Sequence, residues 1–503
     1  MKLLLKQNLI AVLILSAIIF TSCKKKEETL NKVKEKVAYN KKVTESLCMS
    51  DWFPHIQTPA PEEGKGSPFD VPSTTNAIFH QWSWQKFLWL TKPTVEVELI
   101  PIITRGEPTP IIITRKLPLF LNPEKMHQVT SHLESVPLTK GVAVVLTDTK
   151  QAGPGAILKT NPAYNKKNNK AETVYYSIHV SPIFKEAATK FKDSILNGTL
   201  SKNNLSSFPV GSLELKVSWV AKSAIPENEL DNYYTTVAAI SENGTDYVNT
   251  EVALLGMHVV GVVENHPEFI WATFEHSDMA PNYDRGEDKA SSLTEKLLFE
   301  KGETSGITGI TWDSKTQQPV LKSKAFDLFE YGVPRDSTGG FMKNTSQEEP
   351  INFNNIRDIN ACVKKNLEKE EGPWKNYFYN GSIWIDTDGF SSEQQAQILV
   401  GLRGEVANAY PGGFARGSLN CANVTMETFT QTFKDELSEV NVGNLANCFS
   451  CHNAVSYTNN SSPIYMSHIF DAYIKRAEGK TFDEVEAMKA KQEVEEFIRF
   501  QLE

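Results

Sequence analysis

Near the carboxyl end, Cys448-Phe449-Ser450-Cys451-His452 sets two thiols three positions apart and an imidazole immediately after the second. On one helical turn this spacing lets the thiols reach the two vinyl groups of a haem, with the imidazole nitrogen under the iron. The expected cofactor is one covalent haem c, with Cys448 and Cys451 as thioether donors and His452 as proximal ligand. Two other chemistries use the same cysteine spacing. A closed zinc site needs a second ligand pair, and His468 is the only nearby donor. A thioredoxin-like pair opens the helix of a βαβ unit, whereas these cysteines follow a long helical pattern.

The far side of the iron has a weaker signal. Met466 could act as distal ligand, and a His/Met pair would raise the reduction potential. The bland alternative is that Met466 fills a core. His468 stands two residues on, about 200° around a helix, so both cannot face one iron. A distant donor, or none, is the remaining possibility.

A second group is His258, Glu275 and His276, in or beside two strand-like runs. A hairpin could bring the imidazoles together with Glu275, as acid/base groups, as a metal site or as neighbours of the haem. The alternative is structural histidines bonded to backbone. Gly-rich phosphate loops, a G-x-S-x-G elbow and an H-E-x-x-H motif are absent. Asp386-Thr387-Asp388-Gly389 is too short for a calcium loop and reads as a turn.

Residues 1–22 read as a lipoprotein signal peptide. Lys2 and Lys6 precede a twelve-residue run, Leu9 to Phe20, that is apolar apart from Ser16. As a helix it would rise about 18 Å, short of the roughly 30 Å hydrocarbon core. Cys23 after Thr21-Ser22 fits lipidation, and residues 23–46 form a charged tether that cannot build a core. Export suits the Cys-x-x-Cys-His motif, because bacterial haem attachment happens outside the cytoplasm. The protein is expected on the bacterial envelope, at the periplasmic face or the cell surface. With Cys23, Cys448 and Cys451 assigned, Cys48, Cys362 and Cys421 remain. At most one disulfide can form among these three; Cys362–Cys421 is the preferred pair, and Cys48 could replace either.

A chain of 503 residues calls for more than one ordinary core. Mean hydropathy of -0.33 excludes a polytopic membrane protein, and a net charge of -9 argues against nucleic acid as partner. From residue 47 to 349 the pattern is β-rich: 142–146, 174–180, 213–220, 233–240 and 252–263 are β-branched or aromatic runs divided by Gly, Pro and Asn. Residues 350–503 read as a helical region around the haem motif. Helices are expected from Val424 to Val440, from Ser462-Pro463 to Gly479, and after the capping box Thr481-x-x-Glu484. The expected class is α+β, mainly antiparallel, with a helical, cytochrome c-like carboxyl region.

Several blocks, in this order, resemble a family of exported bacterial monohaem proteins of the cytochrome c type. They are Trp82-Ser83-Trp84-Gln85-Lys86-Phe87-Leu88, Gly256-Met257-His258-Val259-Val260, Trp271-Ala272-Thr273-Phe274-Glu275-His276, Val424-Thr425-Met426-Glu427-Thr428-Phe429 and the Cys448–His452 motif. The resemblance covers residues 78 to 455 and implies that the β-rich part and the haem segment belong together. It carries no settled reaction. Cys421 and the lipoprotein leader depart from it.

Three functions follow as expectations. The first is electron transfer with a redox partner protein or a small-molecule donor or acceptor, on a protein held at the membrane by its lipid. The second is a haem-dependent oxidoreductase or peroxidase-like enzyme with a pocket in the β-rich part. The third is a surface binding or sensory protein with structural haem.

Overall fold

A computed structural model describes residues 47–72, 75–104, 107–138, 141–152, 157–281, 283–284, 289–304, 311–313, 318–320, 352–402, 414–418, 423–427 and 448–502. The leader, Cys23, the tether and Cys421 lie outside the described residues. No helix among the described residues is long and apolar enough to cross a membrane.

The first described helix, α1 (Asn76–Thr91), is buried on every side except at Gln85 and Trp89. It therefore has no polar stripe for a sequence pattern to detect. After it come strands β1 (Pro93–Thr104) and β2 (Glu107–Pro118), a hairpin that forms a sheet of its own. The main sheet contains β3 (His127–Val129), β4 (Val144–Leu146), β5 (Val174–Val180), β6 (Leu213–Ala221), β7 (Thr235–Ile240), β8 (Val248–Val263) and β9 (His266–His276). Helix α2 (Pro182–Leu196) follows β5, with the Ser181 side chain accepting from Phe184 N at its start. Short strands between 283 and 320 form two small separate sheets.

Beyond residue 350 come α3 (Asn352–Leu367), β10 (Tyr377–Ile385), α4 (Ser392–Leu402) and β11 (Ala415–Gly417). The main sheet runs β11-β10-β9-β8-β6-β5-β3, antiparallel along this path, with β7 on β8 and β4 parallel to β7. The class is α+β, as expected. Across the expected division at 349/350, β10 pairs with β9 and carries the sheet onward. Eight of the nine β10 residues are buried, so the strand needs cover on both faces and a neighbour on each edge.

Alternate residues of a strand face opposite sides. Leu215, Val217, Met257, Val259, Ala272 and Phe274 share one core with α1 and α3, where Phe87 stacks on Phe274 at 4.2 Å. Val260, Val262, Trp271, Ile383 and Ile385 share the opposite core with α2 and the carboxyl-terminal segment. That segment contains α5 (Cys448–Cys451), a 3-10 turn (Pro463–Met466), α6 (His468–Ala477) and α7 (Phe482–Leu502).

The expected capping box is present: Thr481 N donates to Glu484 Oε2 at 2.7 Å, and Glu484 N to Thr481 Oγ1 at 3.2 Å. The helix expected after Pro463 is instead a 3-10 turn, and α6 begins at His468 because the Ser467 side chain caps Phe470 N. Residues 424–427, expected to open a helix, form a turn; 428–440 lie outside the described residues.

Cys362 pairs with Cys48, not with Cys421, and the bond ties the first described residues to α3. The sequence could not choose between these partners. The fold decides, since Cys48 and Cys362 pack in the core that joins α1 and α3.

Candidate functional site

Helix α5 is a single turn, and His452 N continues it by donating to Cys448 O at 2.8 Å. Phe449 holds the turn to the sheet: it is fully buried and meets Trp271 of β9 edge-on at 6.3 Å. Cys448 and Cys451 flank it, half-buried, and neither forms a disulfide.

His452 is fixed by three contacts. Its Nδ1 lies 3.0 Å from the carbonyl oxygen of Met466. A carbonyl only accepts, so Nδ1 carries the proton and Nε2 keeps its lone pair. Its ring is flanked by Trp271 at 4.3 Å and His468 at 4.1 Å between centroids. Burial drives the His452 pKa well below the ordinary histidine range; His468, Lys216 and Lys489 add to this, and the Met466 bond opposes it. The imidazole is therefore neutral, the form a metal requires. His468 Nε2 donates to Cys451 O at 2.9 Å, and its pKa is pushed down to about 3, chiefly by burial.

Both distal candidates touch His452: Met466 gives its backbone carbonyl to Nδ1 while its side chain is buried in the core that contains Phe470, and His468 stacks beside the ring.

The hairpin of β8 and β9 separates the expected group of His258, Glu275 and His276. His258 pairs with Thr273 and Gly256 with Glu275, which puts His258 and Glu275 on one face. His276 is the next residue along and faces the other side. It is a structural histidine: Nε2 donates to Asn232 O at 3.0 Å, Nδ1 accepts from Asp278 N at 3.2 Å, and the ring stacks on Tyr233 at 3.7 Å. Glu275 Oε2 accepts from Asn380 Nδ2 and Val424 N, both at 3.0 Å, and so pins the 423–427 turn to the sheet.

His258 instead meets Glu427, with Nε2 donating to Oε1 at 2.7 Å. Burial raises the Glu427 pKa, but the charge and hydrogen bond of His258, with Lys216 and the Asn423 amide, outweigh it and hold the carboxyl low. Glu427 Oε2 accepts from Asn423 N at 2.8 Å. Gly256 makes room for this turn, since a Cβ there would lie 2.6 Å from Asn423 Nδ2. On β6, Glu214 accepts from Ser467 Oγ at 2.8 Å, and burial pushes its pKa up to about 7.

The donor chemistry fits a covalent haem. A four-residue helix carries both thiols, and the imidazole that follows has Nδ1 committed to a carbonyl and a lone pair on Nε2. Among the described residues no group of three or more His, Cys, Asp or Glu converges to hold a bare metal ion. The arrangement can hold a porphyrin iron from one side and keep the ligand ring from turning.

Sequence reasoning missed Glu427, Lys216, Glu214 and the ring contact of Trp271. Glu427 is 169 residues from His258, so only the fold connects them. Glu214 and Lys216 alternate with apolar residues and read as solvent-facing, yet the carboxyl-terminal segment covers part of that face. Comparison with family models, curated proteins and solved structures finds no match for this chain.

Proposed function

We propose that this chain is an exported c-type monohaem protein that carries electrons at the bacterial envelope, with haem joined to Cys448 and Cys451 and held by His452. The observation that carries this reading is the 3.0 Å bond from His452 Nδ1 to the Met466 carbonyl. It fixes the tautomer and the ring orientation that a proximal ligand needs. The flanking rings of Trp271 and His468 keep water off the imidazole and hold it neutral. When bound, the haem supplies reversible one-electron chemistry. The protein residues orient it and set its potential through Nδ1 hydrogen bonding and burial.

The lipid anchor at Cys23, the membrane attachment and a redox partner protein or small-molecule donor belong to the same proposal, as does likeness to the monohaem family. They rest on the leader, the tether and the sequence blocks.

One observation favours a second reading, a haem-dependent oxidoreductase or ligand sensor. Met466 gives its backbone carbonyl and His468 its ring to His452, which favours a sixth position that neither of them fills. An open sixth position admits a small molecule.

Expression with a haem-attachment system, followed by haem staining of a denaturing gel, tests the first reading. The band should stain, and Cys448→Ser with Cys451→Ser should abolish the stain. Carbon monoxide added to the ferrous protein separates the two: no spectral change supports electron transfer alone, and rapid binding supports the second.

A further inference from the structure

Among the described residues, two segments dock side by side on one face of the main sheet, with one row of strand residues between them. The strand register defines three rows. Glu214, Val260 and Trp271 form one row, beneath Ser467 and His452. Ser218, Gly256 and Glu275 form another, beneath the 423–427 turn; there Thr425 meets Ser218 at 2.6 Å and Val424 N meets Glu275 at 3.0 Å. Lys216, His258 and Thr273 form the row between. Each row is two residues, about 6.5–7 Å, from the next.

The middle row is polar: Thr273 is buried, His258 keeps 15% side-chain exposure, and Glu427 of the turn beside it keeps 30%, whereas Val260 and Trp271 in one flanking row and Ser218 and Glu275 in the other are buried.

We propose that the haem carried by His452 lies over this middle row, and that His258, held by Glu427, is the haem-contact residue of the face opposite His452. This rests on the haem reading above. Glu427 fixes the ring through Nε2, and the remaining nitrogen, Nδ1, is the one left to meet a ligand at the sixth position. A carboxylate behind an imidazole fixes the orientation of the ring, as in the outer shell of metal sites. The same pair gives this histidine a role that the sheet does not otherwise need.

The test uses haem-loaded protein carrying His258→Ala or His258→Gln. The glutamine amide can still donate to Glu427, so this second variant preserves the fold-side contact. Haem content is fixed first by the alkaline pyridine spectrum. The ferric and ferrous spectra and the carbon monoxide association rate are then compared with the parent. The expected result is equal haem content, displaced bands in both variants, and an association rate changed about tenfold, the worth of one hydrogen bond at the ligand. Spectra and rates superimposable on the parent at full haem content would overturn the assignment of His258 alone. A parent protein without haem would overturn the haem reading itself. If the alanine variant does not fold, the glutamine variant decides.

Discussion

His452 Nδ1 and the carbonyl oxygen of Met466 lie 3.0 Å apart, fourteen residues along the chain, and the bond is made by the Met466 backbone. The side chain of Met466 is buried in the core that contains Phe470 and Ile464. Met466→Leu should therefore leave the haem spectrum unchanged and cost less than about 1.5 kcal/mol of stability. Met466→Ala should also leave the iron ligation in place while costing about 2–5 kcal/mol, measured by urea unfolding. Loss of a ligand band in the leucine variant would return Met466 to the iron.

Gly256 tests the seat of the 423–427 turn. An added Cβ would lie 2.6 Å and 2.9 Å from the amide atoms of Asn423 and 3.0 Å from Thr425 Oγ1. Gly256→Ala should push the turn off the sheet, cost about 1–3 kcal/mol and loosen Glu427 from His258. Hydrogen exchange at the Val424 and Thr425 amides should speed up, since these donate to Glu275 and Asn423.

The Cys48–Cys362 bond closes a separation of 314 residues. Reduction, or Cys48→Ser with Cys362→Ser, should lower stability by about 2–4 kcal/mol through the freer unfolded chain. Cys362→Ser alone should leave Cys48 alkylatable after unfolding without reductant; a Cys48 unreactive there would show a different partner.

The strands were legible because their apolar residues run in β-branched stretches: 174–180 is β5, and 213–220 and 252–263 lie within β6 and β8. Helix α1 was not legible, since a helix buried on every side has no amphipathic period. Strand β10 was hidden in a region otherwise read as helical. The haem motif is local and was visible at once. The contact between His258 and Glu427 joins residues 169 apart on a strand and a turn, so nearness in sequence could not show it. His258 and His276 could be told apart only through the register that sends neighbouring residues to opposite faces.

Acid should destabilise the fold. Burial depresses His179 and His468 to about 3, His276 to about 4, and His452 well below the ordinary value of 6.5. Below pH 6.5 the unfolded chain takes up protons on these four that the folded chain refuses, so folded stability falls with pH. Burial raises Glu214 and Asp471 to about 7, and these two work the other way, adding stability as pH drops from 7 towards 4.5. Four histidines outweigh two acids. The melting temperature should fall between pH 6.5 and 4.5, and Glu214→Gln with Asp471→Asn should steepen the fall. A flat profile would mean that the histidines are not held neutral.

The most direct measurement is the intact mass of the protein expressed with a haem-attachment system, after acid-acetone extraction, which strips haem that is not covalently bound. The account predicts a red pellet whose mass, beyond any lipid on Cys23, exceeds that of the mature polypeptide by one haem, and a Cys448→Ser, Cys451→Ser variant without the increment. A colourless pellet at the bare polypeptide mass, with pigment left in the solvent, would contradict it.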